Sequence, residues 1–308
     1  MKKHVFIIGS RGLPAKYGGF ETFVEELVKH QNNKNIKYHV ACQSENSDMA
    51  LPGEHFEYLG ADCFVIKLPK IGSARVIAYD ILAINAALKY CKKEEIKAPI
   101  FYILGNTAGG FIGHYANKIH KLGGKLFVNP DGLEWKRTKW AAPIRSYLKF
   151  AEKKMVRYAD LIISDNAGIK EYLTSEYGQV ESEVIAYGTE KFKSDLTESE
   201  TLVKYKVNDY YLIVGRFVPE NNYETLIRAF IKSSTKRDLV IITNHEGNAY
   251  FKELREKTQF DKDSRIKFVG TVYNQNELRY IREHAFAYLH GHAVSYTHLR
   301  AHETRRHL

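Results

Sequence analysis

The sequence predicts an α/β protein of two successive domains, each a parallel sheet with helices packed on it. Short apolar runs alternate with stretches of helical periodicity, the pattern of repeated βαβ units. That rhythm weakens from Thr189 to Asp209, where polar residues dominate, and restarts at Tyr211. A length of 308 residues exceeds what one core usually organises, and 44% hydrophobic residues suffice for two.

The elements follow in order. His4 to Ile8 is the first strand candidate, and Phe20 to His30 carries apolar residues at 20, 23, 24, 27 and 28, a helical stripe. Glu25 and Lys29 add an i,i+4 pair on its solvent side. Further strands are expected at Tyr38 to Cys42, Cys63 to Leu68, Ile100 to Leu104, Lys125 to Val128, Leu161 to Ser164 and Val184 to Ala186. Helices are expected at Tyr79 to Cys91 and Ile144 to Tyr158, and Gly123-Gly124 supplies a helix stop. The stretch from Thr189 to Asp209 reads as a linker or as the first strandless stretch of a new domain. Beyond it come strands at Tyr211 to Val214, Leu239 to Thr243, Ile266 to Val269 and Phe286 to Leu289, with helices at Tyr223 to Ser233, Asn248 to Lys257 and Gln275 to His284. About four strands are few for a doubly wound sheet, so the second domain reads as incomplete.

Composition narrows the partners. The formal charge of +10 suits an anionic partner, and clusters such as Lys136-Arg137-Lys139 and Lys153-Lys154-Arg157 also fit the solvated faces of amphipathic helices. No RNA-binding aromatic signature or zinc-finger spacing accompanies them, which argues against nucleic acid. Cys42, Cys63 and Cys91 form no CxxC pair, so neither a disulfide framework nor a metal site is indicated and a cytoplasmic, reducing location is expected. The apolar run after Met1 breaks at Gly9-Ser10-Arg11, too short for a signal sequence. No stretch reaches the roughly 18 uninterrupted apolar residues of a membrane span, which leaves peripheral contact with a membrane open.

Two strand ends carry chemistry. The first strand runs into Gly9-Ser10-Arg11-Gly12-Leu13-Pro14-Ala15-Lys16-Tyr17-Gly18-Gly19-Phe20. Glycines let backbone N–H groups approach a phosphate, and the following helix N-terminus favours negative charge there. Gly12, Gly18 and Gly19 with Arg11 and Lys16 therefore make an anion-site candidate, against the alternative of a merely long turn. The spacing is not GxGxxG. The second strand ends at Cys42-Gln43-Ser44, without the acidic residue that would hold a ribose, and this weakens a nicotinamide-dependent oxidoreductase. In the second domain Val214-Gly215-Arg216-Phe217-Val218-Pro219-Glu220-Asn221-Asn222-Tyr223 places an arginine just past a strand. Its planar fork suits a diphosphate, where a lone arginine would otherwise be a surface ion pair.

Val214 to Phe230 (VGRFVPENNYETLIRAF) resembles the nucleotide-sugar diphosphate motif of retaining GT-B glycosyltransferases of the family 4 type. The opening IIGSRGLPAKYGGFETFVEEL and NPDGLEWKR at Asn129 to Arg137 resemble a narrower branch, bacterial rhamnosyltransferases of capsule and cell-wall polysaccharide assembly. The resemblance covers Met1 to about His292 and implies two Rossmann-like domains. It implies an acceptor domain at residues 1–188, a shortened nucleotide-sugar domain at 189–292 and metal-independent transfer that retains configuration. The donor implied is dTDP-rhamnose, with no separate cofactor. The acceptor implied is a lipid-diphosphate-linked saccharide at the inner membrane face, which the positive charge supports. Arg216 and Asp131 take catalytic roles; Gly12, Gly18, Gly19, Arg216 and Asn221 hold the donor diphosphate; Arg11, Lys16, Asp131 and Glu134 contact the acceptor. Asn221 stands where the family usually carries a lysine. Asp131 is also a natural turn former before Gly132. Trp135 and Trp140, the only tryptophans, offer aromatic faces beside Glu134 for a sugar or a lipid headgroup. Tyr187-Gly188 resembles the family's segment at the end of the first domain, where a nucleotide approaches.

Family members continue after His290-Gly291-His292 with an acidic residue, a glycine-rich turn and a second glutamate. Here Ala293 to Leu308 stands instead, with His298, His302 and His307 at no ligand spacing. Residues 293–308 read as a non-native tail that replaces a motif. A basic membrane-binding end is the rival reading, and an inactive fragment of an enzyme ancestor the rival for the whole chain.

Overall fold

A computed structural model of the chain describes residues 2–16, 18–130, 132–136, 140–188 and 193–291. Asp131 and the tail 293–308 lie outside the described residues. The chain divides into two compact units, Met1–Tyr187 and Gly188–Leu308.

In the first unit the described residues form an eight-stranded sheet in the order β3-β4-β2-β1-β5-β6-β7-β8. The strands are β1 (Lys3–Ile8), β2 (Ile36–Gln43), β3 (His55–Tyr58), β4 (Ala61–Ile66), β5 (Ile100–Leu104), β6 (Lys125–Asn129), β7 (Leu161–Ser164) and β8 (Ser182–Val184). Helices α1 (Gly19–Lys29), α2 (Arg75–Lys93), α3 (Ile112–Lys121), α4 (Ala142–Tyr158) and α5 (Ala167–Tyr177) connect them. Strand β1 shows why the central strands are apolar without alternation. Phe6 and Ile8 join the core under α2 and α3, while Ile7 joins the core under α1. Both faces are covered, so every position profits from an apolar side chain.

Strand β3 is the exception to the parallel order. It pairs antiparallel with β4 through a two-residue turn at Leu59 and Gly60, with φ of 48° and 80°. Two positive φ values give the turn the twist that a tight hairpin needs. The sequence reading has no strand there, because four residues closed by Leu-Gly carry little signal.

The second unit carries β9 (Tyr210–Val214), β10 (Asp238–Ile242), β11 (Ile266–Gly270) and β12 (Ala287–Tyr288). These lie in the all-parallel order β11-β10-β9-β12. Its helices are α6 (Glu200–Lys204), α7 (Tyr223–Lys232), α8 (Ala249–Thr258) and α9 (Gln275–Glu283). Helix α6 falls inside the stretch expected as a linker or as the strandless start of the second domain, and it belongs to that domain's core. Ser199 caps it, and the Glu277 carboxylate of α9 accepts from both the Ser199 hydroxyl and the Thr201 amide, at 2.8 and 2.9 Å. Leu202 is then buried in the core beside Tyr210. Polar composition concealed a docked turn of helix.

No helix among the described residues is long and apolar enough to cross a membrane.

Candidate functional site

The chain leaves β1 toward β2 and β4 on one side, and returns at β5 to build outward through β6 on the other. Strand order therefore reverses between β1 and β5, and loops diverging from such a point leave a crevice at the strands' carboxyl ends. A cleft of about 320 Å³ opens there, lined by Gly9, Arg11, Leu104, Asn106, Thr107 and Pro130 from the strand ends. Phe20 and Glu21 of α1, Glu134, Trp135 and Trp140, and Leu148 and Glu152 of α4 line it as well. The volume lies at the lower end of the range for small-molecule sites, roughly 300–1,000 Å³.

The loop after β1 is held by its own protein. Tyr79 of α2 is buried and its hydroxyl donates to the carbonyls of Ser10 and Ala41, both at 2.8 Å. Glu21, 6% exposed in the first turn of α1, accepts the Arg11 amide at 2.6 Å. Glu25 accepts the Ala15 amide at 3.0 Å. Two amides of the expected phosphate cradle are thus turned onto carboxylates of α1. Gly12 has φ of 104° and its α-carbon lies where a side chain would strike Cys42; Gly18 has φ of 131° and would strike Glu21. The fold itself demands both glycines. Gly19 differs: a methyl there meets nothing within 4 Å.

Of the residues singled out in the sequence, Arg11 and Glu134 come together in the cleft. The Arg11 guanidinium is exposed and has no ion-pair partner among the described residues. Glu134 accepts from Trp140 Nε1 at 3.0 Å. One face of Trp135 is occupied by the Lys149 ammonium, 4.4 Å from the ring centroid. Lys16 is elsewhere, paired with Asp48 at 2.8 Å on the surface. Tyr187 stacks on Phe23 at 4.8 Å, which ties the end of the unit to α1.

Sequence reasoning missed Asn106, Thr107, Glu21 and Glu152. Asn106 is 7% exposed; its Nδ2 donates to the Pro130 carbonyl at 2.7 Å, and its Oδ1 has no partner among the described residues. A buried acceptor without a donor is costly unless a ligand or water completes it. The signal was present in Leu104-Gly105-Asn106-Thr107-Ala108-Gly109-Gly110, a strand end followed by polar residues and glycines. Glu152, 1% exposed, accepts from Tyr172 and Tyr177 hydroxyls at 2.6 and 2.5 Å.

In the second unit the loop after β9 is fixed through its carbonyls. Val214 O accepts from the Tyr288 hydroxyl at 2.8 Å, and Gly215 O from the Thr243 and Tyr223 hydroxyls at 2.7 and 3.2 Å. Arg216 O accepts from Asn221 Nδ2 at 2.6 Å, and Phe217 O from Asn248 Nδ2 at 3.2 Å. Four consecutive carbonyls are held by side chains from β12, α7, Thr243 just past β10 and the adjoining loops. The guanidinium of Arg216 stays exposed, with no ion pair among the described residues. Asn221 therefore shapes the turn that presents Arg216.

A protein-family model described as a domain of unknown function, DUF1972, matches residues 2–190. The chain belongs to the DUF1972 family. The switch-point cleft lies wholly within the part of this DUF1972 chain that the family model matches. No curated protein matches the sequence. Among solved structures, sucrose-phosphate synthase from Thermosynechococcus elongatus is similar at TM-score 0.71 and 16% identity, over 93% of this chain and 75% of that one. HepE from Anabaena, in complex with UDP and glucose, is similar at 0.61 and 15%, over 94% and 74%. UDP-N-acetylglucosamine 2-epimerase from Rickettsia bellii is similar at 0.55 and 18%, over 94% and 73%. The DUF1972 chain thus has the GT-B type of fold, with Rossmann-like parallel sheets.

Proposed function

We propose that the protein is a nucleotide-sugar-dependent glycosyltransferase that takes the donor diphosphate on Arg216 and a saccharide acceptor in the switch-point cleft. The observation that carries this reading is a pair of exposed arginines, Arg11 and Arg216, without an ion pair among the described residues. Each stands just past the carboxyl end of the first strand of its own parallel sheet. Free guanidinium groups at such ends suit phosphate oxygens. The cleft's carboxylates Glu21 and Glu134, the open Oδ1 of Asn106 and the Trp140 indole suit sugar hydroxyls and a sugar ring. HepE in complex with UDP and glucose supports a nucleotide-linked donor.

The chemistry follows from charge. The bond between the sugar's anomeric carbon and the diphosphate oxygen breaks, the acceptor oxygen bonds to that carbon, and the acceptor's proton leaves with the released nucleotide. Charge grows on the diphosphate, and Arg216 on its fixed loop stabilises it without reorganising. The donor is dTDP-rhamnose, the configuration is retained, and the acceptor is a lipid-diphosphate-linked saccharide of surface polysaccharide synthesis at the inner membrane face. These finer terms rest on the motif resemblance, as does a supporting role for Gly19 at the donor and for Asp131 at the acceptor. Ala293 stands where the resemblance expects a carboxylate, so this chain is expected to bind the donor but transfer the sugar slowly.

Calorimetric titration of the full chain with dTDP-rhamnose, UDP-glucose and NAD tests the reading. A nucleotide sugar should bind, NAD should not, and Arg216→Ala should weaken donor binding about 10-fold or more, the loss of a charge-assisted hydrogen bond. Binding of NAD alone sinks the transferase; unchanged donor affinity in Arg216→Ala removes that arginine from the site.

A further inference from the structure

Helix α4 is one-signed on its outer side. It carries Arg145, Lys153, Lys154 and Arg157 there, while Lys149 turns to Trp135 and Glu176, and its single acid, Glu152, is 1% exposed and faces inward to Tyr172 and Tyr177. Helix α3 beside it carries Lys118 and Lys121 and no acid. Arg145, Lys153, Arg157, Lys118 and Lys121 are exposed, and none has an ion pair among the described residues. The nearby acids are already engaged: Asp160 by His120 at 2.8 Å, Glu176 by Lys149 at 2.8 Å. Two large apolar side chains break this basic surface, Phe111 at 52% exposed and Phe150 at 48%. The two helices form one layer, because Gly113 lies flush against Tyr158 and Gly109 against Ala151.

We infer that the α3–α4 face docks on an anionic lipid surface. Lysine and arginine without counter-charges attract such a surface, and half-exposed phenylalanines gain by entering the headgroup boundary. A nucleic acid would use the cations and leave both rings in water, so the rings favour lipid. The inner side of α4 supplies Leu148 and Glu152 to the cleft. The helix that meets the lipid therefore also walls the cleft, where a lipid-tethered saccharide would enter; this last step rests on the transferase reading.

Co-sedimentation of the full chain with phosphatidylcholine vesicles, with and without phosphatidylglycerol, tests the face. The expected result is binding to the anionic vesicles only, reversed by salt. Each basic residue near such a surface changes partitioning roughly fivefold. Lys153→Glu with Arg157→Glu should therefore reduce it at least about 25-fold, and Phe111→Ser with Phe150→Ser should reduce it as well. Lys236→Glu with Lys252→Glu, exposed residues of the other unit, make the same change in net charge and should leave binding near the parent value. Equal loss in that control would mean that net charge alone acts, and would overturn the assignment. So would wild-type binding by the α3–α4 variants, or tighter binding of duplex DNA than of vesicles in competition. All variants alter exposed side chains, and far-UV circular dichroism checks their folding. Donor titration on the same variants separates the two readings: vesicle binding without nucleotide-sugar binding keeps this inference and removes the transferase.

Discussion

Asp80 shows what one buried group contributes. It sits on α2, 2% exposed, behind the cleft wall, with the Thr107 hydroxyl as its hydrogen-bond partner. Burial pushes its carboxyl up to about 7, and the Thr107 hydrogen bond only partly offsets this. Between the ordinary carboxylate range and 7 the folded state holds a proton that the unfolded state has lost. Its stability contribution is therefore full below the ordinary value and is lost as pH rises through about 7. Asp80→Asn should flatten this slope and raise stability at pH 8, by at most about 4 kcal/mol. Urea melts of both proteins from pH 4 to 8 check it, and parallel curves would rule the effect out. The placement of Arg216 just past a strand was legible at this scale because a strand, a glycine and an arginine are contiguous in sequence. The partners of Glu21 and Asn106 were not, since the Arg11 amide and the Pro130 carbonyl are brought to them by the fold, although the strand end before Asn106 was visible in the sequence.

At the scale of elements, glycines set how closely parts approach. The short 3₁₀ turn Thr107–Gly110 lies so near α4 that a Cβ on Gly109 would run into the Ala151 carbonyl. Gly109→Ala must push the two apart, at a cost of about 1–3 kcal/mol for overpacking. The cleft should widen with it, because Thr107 begins the same turn and its carbonyl accepts from Tyr147 of α4 at 2.7 Å. Gly188→Ala, with open space around it, is the control and should be near neutral. Denaturant midpoints compare the two, and equal midpoints would contradict the packing argument. The long apolar strands and amphipathic helices were readable from periodicity. Strand β3, α6 and the 3₁₀ turns were not, being too short to display a period.

For the molecule as a whole, every hydrophobic cluster among the described residues closes within one unit: those containing Phe6, Ile7 and Leu173 in the first, those containing Tyr210 and Ile213 in the second. Each unit buries its own core, so the two should unfold in separable steps. Both described tryptophans, Trp135 and Trp140, belong to the first unit. Tryptophan fluorescence should then follow that unit alone, while far-UV circular dichroism follows both. The two melting curves of the full chain should not coincide; a single shared transition would show one cooperative structure.

Periodicity and punctuation along the chain were enough for an α/β class, two sheets and the arginine loops, because these depend on neighbours a few residues apart. The reversal of strand order at β1 and β5, which opens the cleft, depends on which strands pair. Pairing is a contest among all the apolar runs, and it is settled by how they pack together under α1 on one side and α2 and α3 on the other. The same contest buried Glu21 against the Arg11 amide, left Asn106 Oδ1 without a donor among the described residues and turned Arg145, Lys153 and Arg157 of α4 outward. Such placements come from packing across long sequence separations, which no local pattern records.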